Sequence, residues 1–417
     1  MTKRTIRLAQ LHNTVRPITV LMATIVVGVA LLVLTHAATS TQAIQADAGT
    51  PVSPASRLQV AGASGSYAIK FGTNTSAATG KFYIVGKDIV DPDGNKFYPM
   101  GGNIAISGNY TFSYLGTAEN HAVDAKNWGW NTMRLTMACG NDTSAVDRVI
   151  DEYTAQKIVV TIGCWDVTGA DPSPSDSRVT NILNVFDRIA AKYKDNPYVW
   201  YNPLNEPLAD GDKNAWLNLQ NAALSRIRAK APESIYVADV QGWAQGVQTL
   251  YGSSPVTSLG QGKCNILYSW HAYGAGLGDT SDQTKMDNAV RNVFINLNNA
   301  NVPVILGEIG DPSPANGNDN GTGNNQRSAR SAISLAPQYG YGLQWWHLTG
   351  DDNGQITFSL MQSKTAPAAS VWNALTNTSA NRGLSTTGLS FWNLSQNKPN
   401  LGKFTGNLSA SSCASAQ

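Results

Sequence analysis

The chain has 417 residues, with 30 Lys and Arg against 28 Asp and Glu, a net charge of +2. That length suits one large domain with accessory segments, or two ordinary domains. An apolar content of 42% excludes a wholly disordered chain, and the balanced charge leaves no broad electrostatic footprint for nucleic acid.

Residues 1–16 carry Lys3, Arg4, Arg7 and Arg16 and no acid, and Ile18 to Leu34 then runs without a charge. As a helix that run would span about 25 Å, against roughly 30 Å for a hydrocarbon core. It is longer than the usual apolar stretch of a cleaved signal. Residues 17–38 therefore read as a signal anchor, with a cleaved signal peptide as the alternative; candidate cleavage sites follow Ala37 and Ala48. The basic flank places residues 1–16 in the cytoplasm and everything after residue 38 outside, either held at the membrane or secreted. Residues 39–80, rich in Ala, Ser, Thr and Gly, read as a linker with a short strand at Tyr67–Phe71.

From residue 81 the pattern becomes regular. Short apolar runs begin near Tyr98, Asn131, Ile158, Tyr198, Ile235, Asn265, Val302 and Tyr341, at spacings of 27 to 40 residues, the size of a βα unit. Val179, Ile182, Leu183, Phe186, Ile189, Ala190 and Tyr193 mark one amphipathic helix between them. Met286, Ala289, Val290, Val293 and Leu297 mark another. Runs such as Ile158 to Ile162 are apolar on both faces, as covered parallel strands are. Eight such units over residues 81–376 predict an α/β fold, a (β/α)₈ TIM barrel. A doubly wound open sheet is the alternative, but no G-x-G-x-x-G turn follows the first strand. Residues 377–417 form a Ser/Asn-rich tail, in which Leu389 to Trp392 could dock on the barrel.

Export makes the four cysteines candidates for disulfides. Cys139 and Cys164 end neighbouring expected strands, close enough to bridge, which would leave Cys264 with Cys413. The other pairings and free thiols stay open. No cysteine or histidine spacing resembles a zinc site, and the Asn/Asp/Gly loop at 316–325 lacks the first Asp and last Glu of a calcium loop.

In a TIM barrel the active site lies at the C-terminal ends of the strands, so the residues ending each run are the candidates. They are Asn103, Arg134, Trp165 with Asp166, Asn205 with Glu206, His271 with Tyr273, Glu308, and Trp345 with Trp346. Alone, Arg134 would be a structural ion-pair partner, His271 a satisfied core histidine, and Asn103 a turn cap. Trp345 and Trp346 alternate across their strand, so one of them faces the helices. Glu206 and Glu308 are harder to explain as packing, because a lone carboxylate at such a position is costly to desolvate. Two carboxyls facing across the mouth suit retaining glycoside hydrolysis, in which one is the general acid and the other, about 5–5.5 Å away, the nucleophile.

At these residues the chain resembles glycoside hydrolase family 5, the cellulase and mannanase family. The resemblance rests on Tyr201 to Pro207 (YNPLNEP), Ser269 to Tyr273 (SWHAY) and Val304 to Gly310 (VILGEIG). Asn131 to Leu135 and Gly342 to Trp345 support it, and the two glutamates stand 102 positions apart. It implies Glu206 as acid/base and Glu308 as nucleophile, with Asn205 on the sugar 2-hydroxyl. Arg134 and Tyr273 would hold Glu308, His271 would orient the site and touch substrate, and Trp345 would be the platform under the sugar. The segments Val85 to Phe97, Asp166 to Gly169 and Ala238 to Trp243 look like the bacterial mannanase branch, which commonly has a histidine where this chain has Trp165. The expected activity is retaining cleavage within a β-1,4-linked glucan or mannan, with a polysaccharide as partner, no cofactor, no metal and a monomeric chain. The alternatives are a sugar-binding barrel without catalysis and a transglycosylase that remodels envelope glycans.

Overall fold

A computed structural model describes residues 55–59, 67–71, 80–106, 122–139, 144–209, 211–251, 259, 264–310, 323–347 and 386–405. The chain divides into two units, Met1–Thr73 and Asn74–Gln417. In the first, β1 (Ala55–Gln59) pairs antiparallel with β2 (Tyr67–Phe71), Ala55 opposite Phe71. The strand expected at Tyr67–Phe71 is thus present and has a partner, so residues 39–80 are not linker throughout. The apolar run Ile18 to Leu34 lies outside the described residues, and among those described no helix is long and apolar enough to cross a membrane.

The second unit opens with an antiparallel hairpin, β3 (Tyr83–Val85) and β4 (Asp88–Val90). Eight parallel strands then close into a barrel: β5 (Met100–Ala105), β6 (Thr132–Met137), β7 (Val159–Cys164), β8 (Val199–Asn202), β9 (Tyr236–Asp239), β10 (Ile266–His271), β11 (Val304–Ile309) and β12 (Gly342–Trp345). Each starts within two residues of its expected position. The open-sheet alternative is excluded, because β12 pairs with β5.

The expected amphipathic helices are Ser177–Tyr193 and Gln283–Asn299. In the first, all seven residues marked by the periodicity are buried. In the second Ala289 is only partly buried and Phe294 joins the buried face. Asp176, Asp212 and Asp282 cap three helices by accepting bonds from backbone N–H groups of the first turn, each worth about 1 kcal/mol. After β9 the described residues form only a 3-10 turn, Val247–Leu250, where the βα pattern predicted an α-helix.

Alternation along the strands sorts the side chains into two layers. Residues facing the helices, such as Leu135, Ile162, Tyr201, Leu343 and Trp345, belong to the outer core. Val159, Trp200, Val237, Leu267 and Ile305 fill the lower barrel interior, and Phe82 and Ile89 from the hairpin segment close it from below. Phe82 meets Phe97, Tyr198 and Trp200 edge-on at 5.0 to 5.5 Å between ring centres. Above that plug the interior turns polar. Asn103, Arg134, Thr161, Asn202, Asp239, Ser269 and Gln344 are all buried there.

The segment expected as a tail contains a helix, Thr386–Gln396, that packs into the outer core. Phe391 is fully buried against Trp345, 5.4 Å between ring centres, and Trp392 meets Trp128 at 6.0 Å. Burying one phenylalanine contributes about 1.5–3 kcal/mol. The barrel's packing therefore extends well past residue 376.

Candidate active site

Glu308 reaches the mouth because β11 breaks its alternation. Ile305 and Gly307 face the interior, so a regular strand would turn Glu308 outward. The ladder shifts register between Trp270 and His271 on one side and between Leu306 and Ile309 on the other. Such an irregularity re-aims one side chain, and Glu308 comes to lie opposite His271 in the ladder. Gly307 permits the approach: a Cβ there would stand 2.2 Å from Ser269 Oγ and 3.3 Å from His271 Nε2.

Glu206 sits in the turn after β8 with a left-handed backbone, φ 45°, unusual for a residue with a side chain. That conformation costs on the order of 1–3 kcal/mol and must be held by its surroundings. Its N–H donates to Asp239 Oδ2 at 3.1 Å, and its carbonyl accepts from Gly169 N at 3.0 Å. Leu208 N donates to Ala170 O at 2.8 Å, tying the same turn to the loop after β7.

The hydrogen bonds around the two acids fall on different partners, although His271 Nδ1 also lies 3.5 Å from Glu308 Oε2. Glu308 Oε1 accepts from Arg134 Nη1 at 2.6 Å and its Oε2 from the Tyr273 hydroxyl at 2.8 Å. Glu206 Oε1 instead meets His271 Nδ1 at 2.7 Å. One ligand atom from each of Glu206, His271 and Glu308 lies within 4.8 Å of the others, which puts the carboxyls near the separation of retaining enzymes, about 5–5.5 Å. Arg134 is buried and its five N–H groups are all used: on Asn202, Asn103, Glu308, Asn205 and Asp239. Its fork fixes Glu308 and the Asn205 amide together.

Burial pushes the Glu308 carboxyl up, and the neighbouring Glu206 adds to that; His271, Arg134 and the Tyr273 hydroxyl pull it down. Arg134 and Tyr273 both donate to Glu308, so each favours its charged form against the burial that opposes it. Burial alone would lower the His271 imidazole, but Glu308, Asp239 and Glu206 around it raise it on balance. Burial and both glutamates raise the Tyr273 phenol well above its ordinary value, so it stays a donor.

Other expected residues take narrower roles. Asn205 turns its Oδ1 to Arg134 and its Nδ2 to Thr168 Oγ1 at 2.8 Å, leaving one amide N–H for a ligand. Asn103 is fully engaged, donating to the Gly307 and Trp345 carbonyls at 3.0 and 3.1 Å and accepting from Arg134, so it ties β5, β6, β11 and β12 together and offers nothing to substrate. His271 has no exposed surface, so it orients Glu206 without touching substrate, contrary to the expectation. Asp166 accepts from Cys139 N at 2.8 Å and braces the rim; Trp165 beside it is half-buried. The platform assigned to Trp345 is a correction. Trp345 is 0% exposed, packed outward on Phe391, because Gln344 takes the inward position of β12. Trp346 follows at the strand end, half-buried, its N–H on Ile309 O at 2.7 Å.

Asp239 was missed by the strand-end reading, although it ends the run Ile235 to Ala238 as Glu308 follows Val304 to Gly307. Fully buried, it accepts from Asn202 Nδ2, Arg134 Nη2 and Glu206 N, and it lies 3.5 Å from His271 Nε2. It thus touches the supports of both glutamates. Cys139 and Cys164 form a disulfide, Cα atoms 5.6 Å apart, across the ends of β6 and β7. Cys413 lies outside the described residues, and with it the expected Cys264–Cys413 pair. The sulfurs beside Asp166 are bridged and so are not thiolate ligands. At Glu206, His271 and Glu308 the Arg134 guanidinium already pairs with the Glu308 carboxylate at 2.6 Å.

Residues 90–352 match the family model described as cellulase (glycosyl hydrolase family 5). A mannan endo-1,4-beta-mannosidase of Cellvibrio japonicus is 24% identical over 315 residues, 72% of this chain and 66% of that protein. Endoglucanase A of Butyrivibrio fibrisolvens is 24% identical over 289 residues, 66% of this chain and 62% of its own length. The chain thus spans just under two thirds of the length of these curated relatives. Among solved structures, the catalytic domain of a mannanase from Streptomyces sp. SirexAA-E superposes with a TM-score of 0.55 at 20% identity, covering 77% of this chain and 93% of that one. With a family model matched across most of the barrel, the chain belongs to glycosyl hydrolase family 5.

Proposed function

We propose that the chain is a retaining glycosidase that cleaves within β-1,4-linked mannan or glucan. The observation that carries this reading is the carboxyl pair within 4.8 Å, one acid held by Arg134 and Tyr273 and the other by His271. Glu308 attacks the anomeric carbon while Glu206 protonates the leaving oxygen. Glu206 then takes the proton of the water that releases the covalent glycosyl-enzyme. The free Asn205 amide N–H serves the sugar 2-hydroxyl, and Trp346 takes the platform role at the end of β12. Relatives named as mannosidase and as endoglucanase support a β-linked hexan substrate. A barrel that only bound sugar would have no use for two facing carboxyls with separate proton supports.

The test is incubation of the purified protein with linear mannan, glucomannan and carboxymethyl cellulose, following viscosity and reducing ends. A fast viscosity fall on one polymer, lost in Glu308→Gln, names the backbone sugar and endo action. Binding without cleavage on all three refutes the reading. Longer products on adding sugar acceptors would identify a transglycosylase. The basic segment and apolar run Ile18 to Leu34 support an outward-facing barrel, held by an anchor or released after cleavage. Protease shaving of intact cells tests that placement: an anchored, outward barrel is lost, and an inward one is protected.

A further inference from the structure

The loop after β7 and the turn after β8 are laced together by hydrogen bonds. Asn205 N donates to Cys164 O at 2.9 Å, Gly169 N to Glu206 O at 3.0 Å, and Leu208 N to Ala170 O at 2.8 Å. These join backbone to backbone and do not depend on which side chains the residues carry. One further bond does: Asn205 Nδ2 donates to Thr168 Oγ1 at 2.8 Å. The loop that presents this hydroxyl is itself braced. Thr168 N donates to Trp165 O at 2.9 Å, Ala170 N to Val167 O at 3.0 Å, and Asp166 accepts from Cys139 N at 2.8 Å.

Arg134 Nη2 holds the other end of the same amide by donating to Asn205 Oδ1. Turning the amide over would set its NH₂ against the guanidinium, donor against donor, so its orientation is single. Arg134 alone would fix the oxygen and leave the amide free to swing about it. Because an amide is planar, a bond at each end fixes the plane and, with it, the direction of the one N–H left over. Thr168 supplies that second bond. Asn205 is only 7% exposed, so few other groups can take over the role.

We propose that Thr168 is a positioning residue for the reaction: by accepting from Asn205 Nδ2 it aims the remaining amide N–H at the 2-hydroxyl of the sugar at the cut. This rests on the glycosidase reading of the same site. A bond to the 2-hydroxyl strengthens as the transition state forms, so a misdirected donor costs turnover more than it costs binding. Thr168 touches neither glutamate side chain in this scheme and acts only through Asn205.

The test compares the full chain with Thr168→Val, which keeps the shape and loses the hydroxyl, and Thr168→Ser, which keeps the hydroxyl. The substrates are dinitrophenyl β-disaccharides of the 1,4-linked hexose, with and without a 2-hydroxyl on the sugar next to the aryl group. In Thr168→Val, kcat/KM on the 2-hydroxy substrate should fall by about 5–15-fold, mostly in kcat, and on the 2-deoxy substrate by less than about twofold. Thr168→Ser should recover most of the rate. In an Asn205→Ala background Thr168→Val should cost less than about twofold on either substrate. Equal losses on both substrates, or the full loss persisting without the Asn205 amide, would make Thr168 a general prop of the loop and overturn the proposal. So would an undiminished rate on the 2-hydroxy substrate. A folded wild-type chain that cleaves neither these substrates nor any polymer would refute the glycosidase reading itself, and the positioning role with it.

Discussion

Asp239→Asn removes one oxygen from the middle of the site and changes little else in shape. Asp239 accepts three bonds: from Asn202 Nδ2 at 3.0 Å, Glu206 N at 3.1 Å and Arg134 Nη2 at 3.3 Å. An amide has one acceptor oxygen, so it must turn its NH₂ toward Asn202 or toward Arg134 and Glu206, all of them donors. Asn202 has no freedom to adapt, since its Oδ1 accepts from Arg134 and its Nδ2 also donates to Val237 O. With Asp239 at 0% and Arg134 at 1% exposure, breaking this buried pair should cost about 3–5 kcal/mol of stability. Loss of the anchor on the Glu206 turn, worth about 1.5–3 kcal/mol, should lower kcat/KM by about 10–150-fold. Asp239 also helps raise the His271 imidazole, so His271 should titrate at lower pH in the variant. Urea unfolding, kcat/KM on one polymer and an NMR titration of His271 read the three effects. An Asp239→Asn variant as stable as wild type, with an unmoved His271 titration, would refute the account of this buried network.

Replacing Cys139 and Cys164 together with Ser opens a 25-residue loop, which should cost about 3.5 kcal/mol in urea unfolding; no change would show that the bridge adds nothing. Trp345→Ala should cost about 3–5 kcal/mol of stability by emptying the contact with Phe391, whereas Trp346→Ala should lower activity at nearly unchanged stability; the reverse pattern would reinstate Trp345 as the platform. The folded pKa of His271 lies above its unfolded value of about 6.5, raised by Glu308 on β11, Asp239 on β9 and Glu206 in the β8 turn. Its contribution is complete below that pH and is lost as pH rises through the folded value. The stability of wild type relative to His271→Asn should therefore decline with rising pH above about 6.5, and a gap independent of pH would contradict this.

What could be read in the sequence was what depends on local pattern. Tyr98, Ile158 and Val302 announce strands because apolar runs recur at βα spacing, and Glu206 and Glu308 stand out because each follows such a run. Three things depended on geometry that no local pattern carries. Asp239 acquires its role only when barrel closure brings β6, β8 and β10 around it, and its run is as short as that of β8. Alternation alone leaves two phases open for Trp345 and Trp346, and the resemblance put the platform on Trp345; the buried polar Gln344 is the residue that fixes the phase. The C-terminal segment read as a tail, since Thr, Gly, Ser and Asn interrupt its apolar face; the docking expected of Leu389 to Trp392 is present, but that it is a helix whose Phe391 and Trp392 complete the outer core was not legible.

The most direct test of the central claim is to find where the sugar becomes attached. The protein is treated with a 2-deoxy-2-fluoro β-glycosyl fluoride, manno or gluco, digested, and the labelled peptide sequenced by mass spectrometry. The account predicts one glycosyl adduct on Glu308, formed faster than it hydrolyses and absent in Glu308→Gln. An adduct on Glu206 or another residue, or turnover that inverts the anomeric centre with no adduct at all, would contradict it.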